Sequence, residues 1–185
     1  KRANLQDTNL MNRNLNQANL TGANLSRANL AGASLVFSSL ILAEMTGANL
    51  KKANLDKAEL RGAYLNQANL FQANLQGANL QGANLTRVDL RRKDLSGTNL
   101  RGSSLDGTFL SDANLSHADL SKLDLSGKDL RSTNLNGTSF KDATLTGANL
   151  TDADLTHANL MNAKLDRVIF CKTTMPDGAM NDTGC

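Results

Sequence analysis

Leucine occupies almost every fifth position of the chain between residues 5 and 170. Of the 34 positions in this series 31 hold Leu, and the exceptions are Met45, Phe140 and Phe170. A small residue, usually Ala, stands two places before each of these central positions, and Asn or Asp usually stands directly before it. The two residues that follow are variable and mostly polar. We call the five places the small, polar, central, first variable and second variable positions.

This period fits neither common secondary structure, because an α-helix repeats at 3.6 residues and a strand at 2. Leu at every fifth residue would move about 140° around an α-helix at each step, so no apolar face would form. A chain that turns a corner in every repeat instead places all central residues inside and all variable residues outside. Four such sides would close one coil of roughly 20 residues, and successive coils would stack at the ~4.8 Å spacing of paired strands.

The repeated triplets, such as Ala18-Asn19-Leu20 and Ala78-Asn79-Leu80, resemble those of the pentapeptide-repeat family. The resemblance covers nearly the whole chain and implies an all-β fold, a right-handed quadrilateral parallel β-helix. At the spacing of paired strands the chain is long enough for about nine coils. The hand of the helix comes from the resemblance, since the period alone predicts only a closed, stacked coil. We expect a β-helix domain over residues 1–170 and a C-terminal cap over residues 171–185.

The two cysteines of the chain, Cys171 and Cys185, bracket the segment in which the repeat fades. A disulfide between them would fold the tail over the last coil and cover a strand edge that could otherwise template aggregation. Closing a loop of this size contributes about 3 kcal/mol on the loop-entropy argument. A metal-binding pair and two free thiols are the alternatives. A Cys pair around a Met-Pro-Asp-Gly turn also resembles the tails of family members from cyanobacteria and the thylakoid lumen.

Four apolar residues break the polar pattern of the variable positions. They fall in two successive repeats and are Val36, Phe37, Ile41 and Leu42. Exposed apolar patches often mark interaction sites. The sequence allows three outcomes here, which are contact with a partner protein, cover by residues that precede Lys1, or no specific role.

Basic residues recur at variable positions that should stack in one column, in every second coil. They form a discontinuous stripe and are Lys51, Lys52, Arg91, Arg92 and Arg131. The stripe would suit an anionic partner, but a solvated face of the solenoid explains it as well. Only one aromatic residue, Phe71, interleaves with it, so we expect no binding of single-stranded nucleic acid.

The sequence predicts no catalytic site, no cofactor and no metal site. It holds no Gly-rich phosphate loop and no His–carboxylate–nucleophile set, and a filled shaft offers no pocket. His117 and His157 should stack two coils apart, at about 10 Å, which we expect to be too far for one metal ion, so both should be solvated surface residues. Arg13, Lys93 and Lys128 take the small position, where a long side chain has to snorkel out of the shaft.

These observations favour a non-enzymatic structural or protein-interaction module with an unidentified protein partner. A monomer without a membrane span is expected, since no apolar run approaches the ~18 residues that a bilayer requires. A disulfide would place the protein in an oxidising compartment, the thylakoid lumen or the bacterial periplasm, with its leader absent from this chain. The alternative function is a DNA-mimicking topoisomerase inhibitor, which a net charge of +3 disfavours because such mimicry needs an acidic surface.

Overall fold

The computed structural model describes residues 2–185 and shows a turn in every repeat. Isolated parallel bridges join residues 20 apart at the polar positions, for example Asn24 to Glu44 and Asn134 to Asp154. Within 2–185 there are no α-helices, and the regular strands are β1 (Thr173–Thr174) and β2 (Met180–Asn181), which pair antiparallel. Both strands lie in the segment that the sequence predicts as the cap.

The chain divides into two compact units. Unit 1 comprises Lys1–Asp89 with Ser103–Thr108, and unit 2 comprises Leu90–Gly102 with Phe109–Cys185. Each unit repeats the same 20-residue pairing, as the bridges Asn54 to Asn74 and Asp124 to Thr144 show. The architecture of a coil is therefore the same in both.

The backbone amides of each repeat are bonded in a fixed pattern. In the repeat around Leu25, the amide of Asn24 donates to the previous coil (Ala3 O, 2.9 Å) and that of Leu25 to the next (Glu44 O, 2.7 Å). The amide of Ser26 donates to the side-chain oxygen of Asn24 at 3.0 Å. Those of Arg27 and Ala28 donate to the next coil and to Leu25 O. All five donors are satisfied, which explains why Asn or Asp recurs at the polar position.

The second variable position always has a positive φ, between 52° in Lys172 and 68° in Gly102 and Gly147. The amide of the following small residue donates to the central carbonyl, so the turn has the hydrogen bond and the positive third residue of a type II turn. Glycine adopts this conformation without steric cost. All twelve glycines of the repeats occupy this position.

Leu and Ala fill the interior of each unit, as the pattern predicts. The central residues are almost all buried, and the largest of the fully buried side chains is Phe140. Threonines replace Ala at several small positions and remain bonded, for example Thr138, whose hydroxyl donates to Leu115 O at 2.7 Å. Among the three basic residues at this position, Lys93 is buried, Lys128 half-buried and Arg13 exposed.

Candidate protein-interaction surface

The apolar patch of unit 1, defined as Val36, Phe37, Ile41 and Leu42, has two exposed and two half-buried members. The side chains of Phe37 and Leu42 are 55% and 50% exposed, so each presents about half of its surface to solvent. Val36 and Ile41 take the first variable positions and are half-buried. Solvent exposure of the patch therefore resides mainly in one aromatic and one aliphatic side chain.

The turn geometry places these two side chains at successive corners. Phe37 and Leu42 both take the second variable position, with φ of 54° and 55°. The side between them carries Ser38, which is buried, and Ser39, whose hydroxyl lies 2.8 Å from that of Thr21. Two exposed apolar ridges, Phe37 and Leu42, thus flank a side on which Ser39 is half-buried and Ser38 belongs to the interior.

Glycine lies beside Leu42 in the adjacent coil. A Cβ atom placed on Gly62 would come within 2.7 Å of Leu42 Cδ2. The Leu42 side chain therefore lies over Gly62, and any larger residue at position 62 would displace it. In the preceding coil the matching residue is Gly22, whose amide donates to Ile41 O at 2.8 Å. The side chain of Arg2 covers Gly22, since its Nε would lie 2.7 Å from a Cβ placed there, and Leu42 covers Gly62 in the same way.

A cation accompanies the aromatic ridge. Lys57 Nζ lies 5.4 Å from the centroid of the Phe37 ring, within the range of a cation–π contact. Arg61, in the coil that follows Ile41, pairs with Glu59 through an Nε–Oε2 contact of 3.3 Å. A partner that buries the Phe37 ring would therefore also contact the ammonium group of Lys57.

The five residues of the predicted basic stripe are divided between the two units. In unit 1, Lys51 Nζ lies 5.6 Å from the ring centroid of Phe71, and Lys52 is exposed. Phe71 itself is 57% exposed, so the pair resembles that of Phe37 and Lys57 in its chemistry.

In unit 2 each of the three predicted stripe residues contacts a ring or a carboxylate. Arg91 lies 5.1 Å from the ring centroid of Phe109, and Arg92 lies 3.8 Å from Asp112. Arg131 donates two hydrogen bonds of 2.8 Å to Asp129, and these bonds hold the pKa of that carboxyl below its ordinary value. Carboxylates thus offset two of the three guanidinium charges, which weakens the attraction for an anionic partner.

Phe109 is a contact residue that the sequence analysis missed. The signal was available, since Phe109 stands at a polar position where Asn or Asp is usual. Tyr64, also at a polar position and 48% exposed, is a second departure of the same kind. Both became visible as exposed rings only in the folded chain.

The predicted disulfide between Cys171 and Cys185 is present, with 14 residues of sequence separation and a Cα–Cα distance of 4.7 Å. It closes the segment that contains β1 and β2. The amide of Phe170 donates to Thr183 O at 2.8 Å, and that of Lys172 to Asp182 Oδ1 at 3.1 Å. The Phe170 bond fastens the segment to the last repeat, whereas the disulfide and the Lys172 bond close the segment on itself.

Two further structural findings bear on function. Over the described part of the chain, residues 2–185, there is no cluster of three or more His, Cys, Asp and Glu side chains that could hold a metal ion. The same residues contain no helix that is long and apolar enough to cross a membrane.

The family described as pentapeptide repeats matches this sequence with eight copies, over residues 3–36, 28–67, 53–92, 94–131 and 129–162. The chain belongs to the pentapeptide-repeat family. Its fold is the right-handed quadrilateral β-helix of that family, and the predicted fold class is confirmed. The family assignment rests on these repeat matches, which together span most of the sequence.

Several solved pentapeptide-repeat structures are similar to the chain. HetL, a protein involved in heterocyst differentiation regulation from the cyanobacterium Nostoc sp. strain PCC 7120, is 30% identical over 97% of this chain and 92% of HetL, with a TM-score of 0.49. Rfr23 from the cyanobacterium Cyanothece 51142 is 35% identical over 57% of this chain and 82% of its own, with a TM-score of 0.48. A protein from the Arabidopsis thaliana thylakoid lumen is 26% identical over 66% and 71% of the two chains, with a TM-score of 0.34. No curated protein matches the sequence.

Proposed function

We propose that this pentapeptide-repeat protein is a non-enzymatic interaction module that binds another protein through its apolar patch. The observation that carries the proposal is the pair of half-exposed side chains, Phe37 and Leu42, on successive corners of unit 1. A few fully desolvated anchor side chains, aromatic ones prominent among them, supply most of the free energy of protein association. Phe37 offers such an anchor, and Leu42 lies at the next corner beside it.

The partner is a segment that combines apolar side chains with a carboxylate. Burial of Phe37 by a neutral segment would desolvate Lys57 Nζ, which lies 5.4 Å from the ring. Since an ammonium group is costly to bury without a counter-charge, an Asp or Glu of the partner beside Lys57 would lower this cost. Such complementarity adds specificity and association rate as well as affinity.

Selection of displayed 12-residue peptides on the tag-free full chain tests this proposal. Enriched peptides should contain Leu or Phe next to Asp or Glu, and Phe37→Ala should weaken their binding by at least about tenfold, the effect of losing an aromatic anchor. Lys57→Glu should disfavour the acidic peptides. The matched control is Phe71→Ala, because Phe71 is equally exposed and also accompanied by a lysine. Peptides that bind Phe37→Ala as well as the wild type would refute the patch as the site.

A second copy of this chain is the competing occupant of the patch. Analytical ultracentrifugation of the wild type and of Leu42→Ser decides between them. A monomer that sediments unchanged in both supports the heterologous partner. A dimer that Leu42→Ser dissociates would show that a second copy covers the patch, and would overturn the proposal.

The protein works in an oxidising compartment, the thylakoid lumen or the bacterial periplasm. This part of the proposal rests on the Cys171–Cys185 disulfide, since such bonds persist where thiols are not kept reduced. Maleimide labelling of the protein in its native compartment should fail before reduction and label two thiols after it. Rapid labelling without reductant would remove the argument for the compartment.

The alternative function, a DNA-mimicking topoisomerase inhibitor, is disfavoured by the net charge of +3. Clear activity in a gyrase supercoiling-protection assay would favour this alternative over the interaction module.

A further inference from the structure

His117, Gly137 and His157 lie in register in three successive coils of unit 2. The amide of His117 donates to Asn136 O at 2.8 Å, that of Gly137 to Thr156 O at 2.8 Å, and that of His157 to Pro176 O at 3.0 Å. All three residues take the second variable position, with φ of 57°, 65° and 60°. The two histidines are therefore equivalent corner residues with one glycine between them.

The imidazole of His117 leans over this glycine. A Cβ atom placed on Gly137 would lie 2.5 Å from His117 Nδ1 and 2.8 Å from its Cε1, closer than any side chain could come. Several other glycines at the same turn position have open space around that point, Gly127 and Gly147 among them. Because residue 137 has no side chain, the His117 imidazole can occupy the space between the two histidine positions.

No metal site is expected at these histidines from the sequence, but side chains that reach toward one another can bridge the separation of the two coils. At about 4.8 Å per coil, the backbones of residues 117 and 157 lie about 10 Å apart. Two histidine side chains and two metal–nitrogen bonds of about 2.0–2.1 Å each can cover this separation when the rings turn toward one another. His157 is exposed, and its ring makes no hydrogen bond to any of residues 2–185, so it is able to turn toward Gly137.

We propose that His117 and His157 together bind one divalent late transition-metal ion across Gly137. Neutral imidazole is the ligand type that Cu²⁺, Ni²⁺ and Zn²⁺ prefer, and Cu²⁺ binds such a site most tightly of the three. Because no cluster of three ligating residues is present in 2–185, water completes the coordination shell. This site is independent of the apolar patch, which lies in unit 1.

Titration of the tag-free full chain with Cu²⁺, followed by calorimetry and electron paramagnetic resonance, tests the site. The wild type should bind one Cu²⁺ with two imidazole nitrogens in its spectrum. His117→Ala and His157→Ala should each bind about 100-fold more weakly and show one nitrogen, because a second tethered ligand typically raises affinity about 10²–10⁴-fold. The double variant, with both histidines replaced by Ala, measures the background affinity for Cu²⁺ of the rest of the protein. Single variants that bind within threefold of the wild type would overturn the proposal.

Glycine substitutions provide a matched control for the role of residue 137. Gly137→Ala and Gly147→Ala introduce the same methyl group at φ of 65° and 68°, but only the first meets an imidazole. Gly137→Ala should weaken Cu²⁺ binding while Gly147→Ala leaves it unchanged. Equal affinities in the two variants would contradict the geometry. If Gly137→Ala does not fold, as judged by circular dichroism, the nitrogen count of the wild type and the single-histidine variants decides the question.

Discussion

The guanidinium group of Arg27 reaches the preceding coil and donates two hydrogen bonds of 2.7 Å to the carboxylate of Asp7. The two residues are 20 apart, so they occupy the same corner of successive coils. The contact joins exposed side chains that the 20-residue coil brings into one column. Such vertical pairs are a direct consequence of the 20-residue repeat.

This pair predicts a depressed pKa for Asp7. The hydrogen bonds from Arg27 are the largest cause and hold the pKa of the Asp7 carboxyl below its ordinary value. Arg27→Gln should therefore raise the pKa of Asp7, as measured by NMR titration of its side-chain carboxyl, whereas Arg131→Gln should leave it unchanged. Because the folded pKa lies below the unfolded one, the pair stabilises the fold above the unfolded pKa. That contribution is lost as the pH falls through the folded pKa. An unchanged Asp7 titration in Arg27→Gln would contradict the assignment.

The positive φ of the second variable position predicts a cost for Ala there. Gly82 has a φ of 66° and no atom near the place that a Cβ would take, so only the backbone conformation should matter. Gly82→Ala should lower the free energy of unfolding by about 1 kcal/mol. Gln81→Ala, at the adjacent first variable position, is the matched control and should change it by less than about 0.5 kcal/mol. Equal effects in urea denaturation would show that the left-handed conformation costs nothing here.

Two hydroxyl groups at small positions predict opposite effects of their removal. Ser38 is fully buried, and its Oγ has no hydrogen-bond partner among the described residues, so Ser38→Ala should stabilise the protein by about 1 kcal/mol. Thr138 donates to Leu115 O at 2.7 Å, and Thr138→Val should destabilise by a similar amount. Both are measured by chemical denaturation. A loss of stability in Ser38→Ala would indicate that its hydroxyl is satisfied in solution.

The disulfide predicts a local gain in stability. Replacing both Cys171 and Cys185 by Ala should lower the free energy of unfolding by about 3 kcal/mol, the value expected for a disulfide between residues with a sequence separation of 14. The amide of Phe170, bonded to Thr183 O, should exchange its hydrogen faster in the variant. Reductant should reproduce both effects in the wild type and change nothing in the variant. Unaltered exchange at Phe170 would mean that the backbone bonds alone hold the segment.

The interior of the protein was predictable because one period governs it. Every repeat has the same residue types at the same positions, so the burial of Leu25 or Ala48 follows from the pattern. The lower burial of the central residues in the first coil could not be predicted in this way. Leu5 and Leu10 match the consensus but are only half-buried, because their coil has a neighbouring coil on one side among the described residues. Burial here depends on stacking, which a single repeat does not encode.

The candidate site was predictable in its residues but not in its geometry. Val36, Phe37, Ile41 and Leu42 depart from the polar consensus, which marks them in the sequence. Their unequal exposure arises because the first and second variable positions differ in backbone conformation. The concentration of glycine at the second position was the signal for that difference. The contacts of Phe37 with Lys57 and of Leu42 with Gly62 depend on the 20-residue stacking and on rotamers.

The fixed amide pattern described for the repeat around Leu25 also limits how such a chain can lengthen. Inserting a single five-residue repeat would preserve the alternation of amides but would shift, by one side, every contact between coils that spans the insertion point. An insertion between Asp7 and Arg27 would separate that pair, and one between Asn29 and Asn49 would break their ladder. Duplication of a 20-residue block leaves all these columns aligned. Growth by whole turns is therefore the route along which side-chain contacts between coils can be inherited intact.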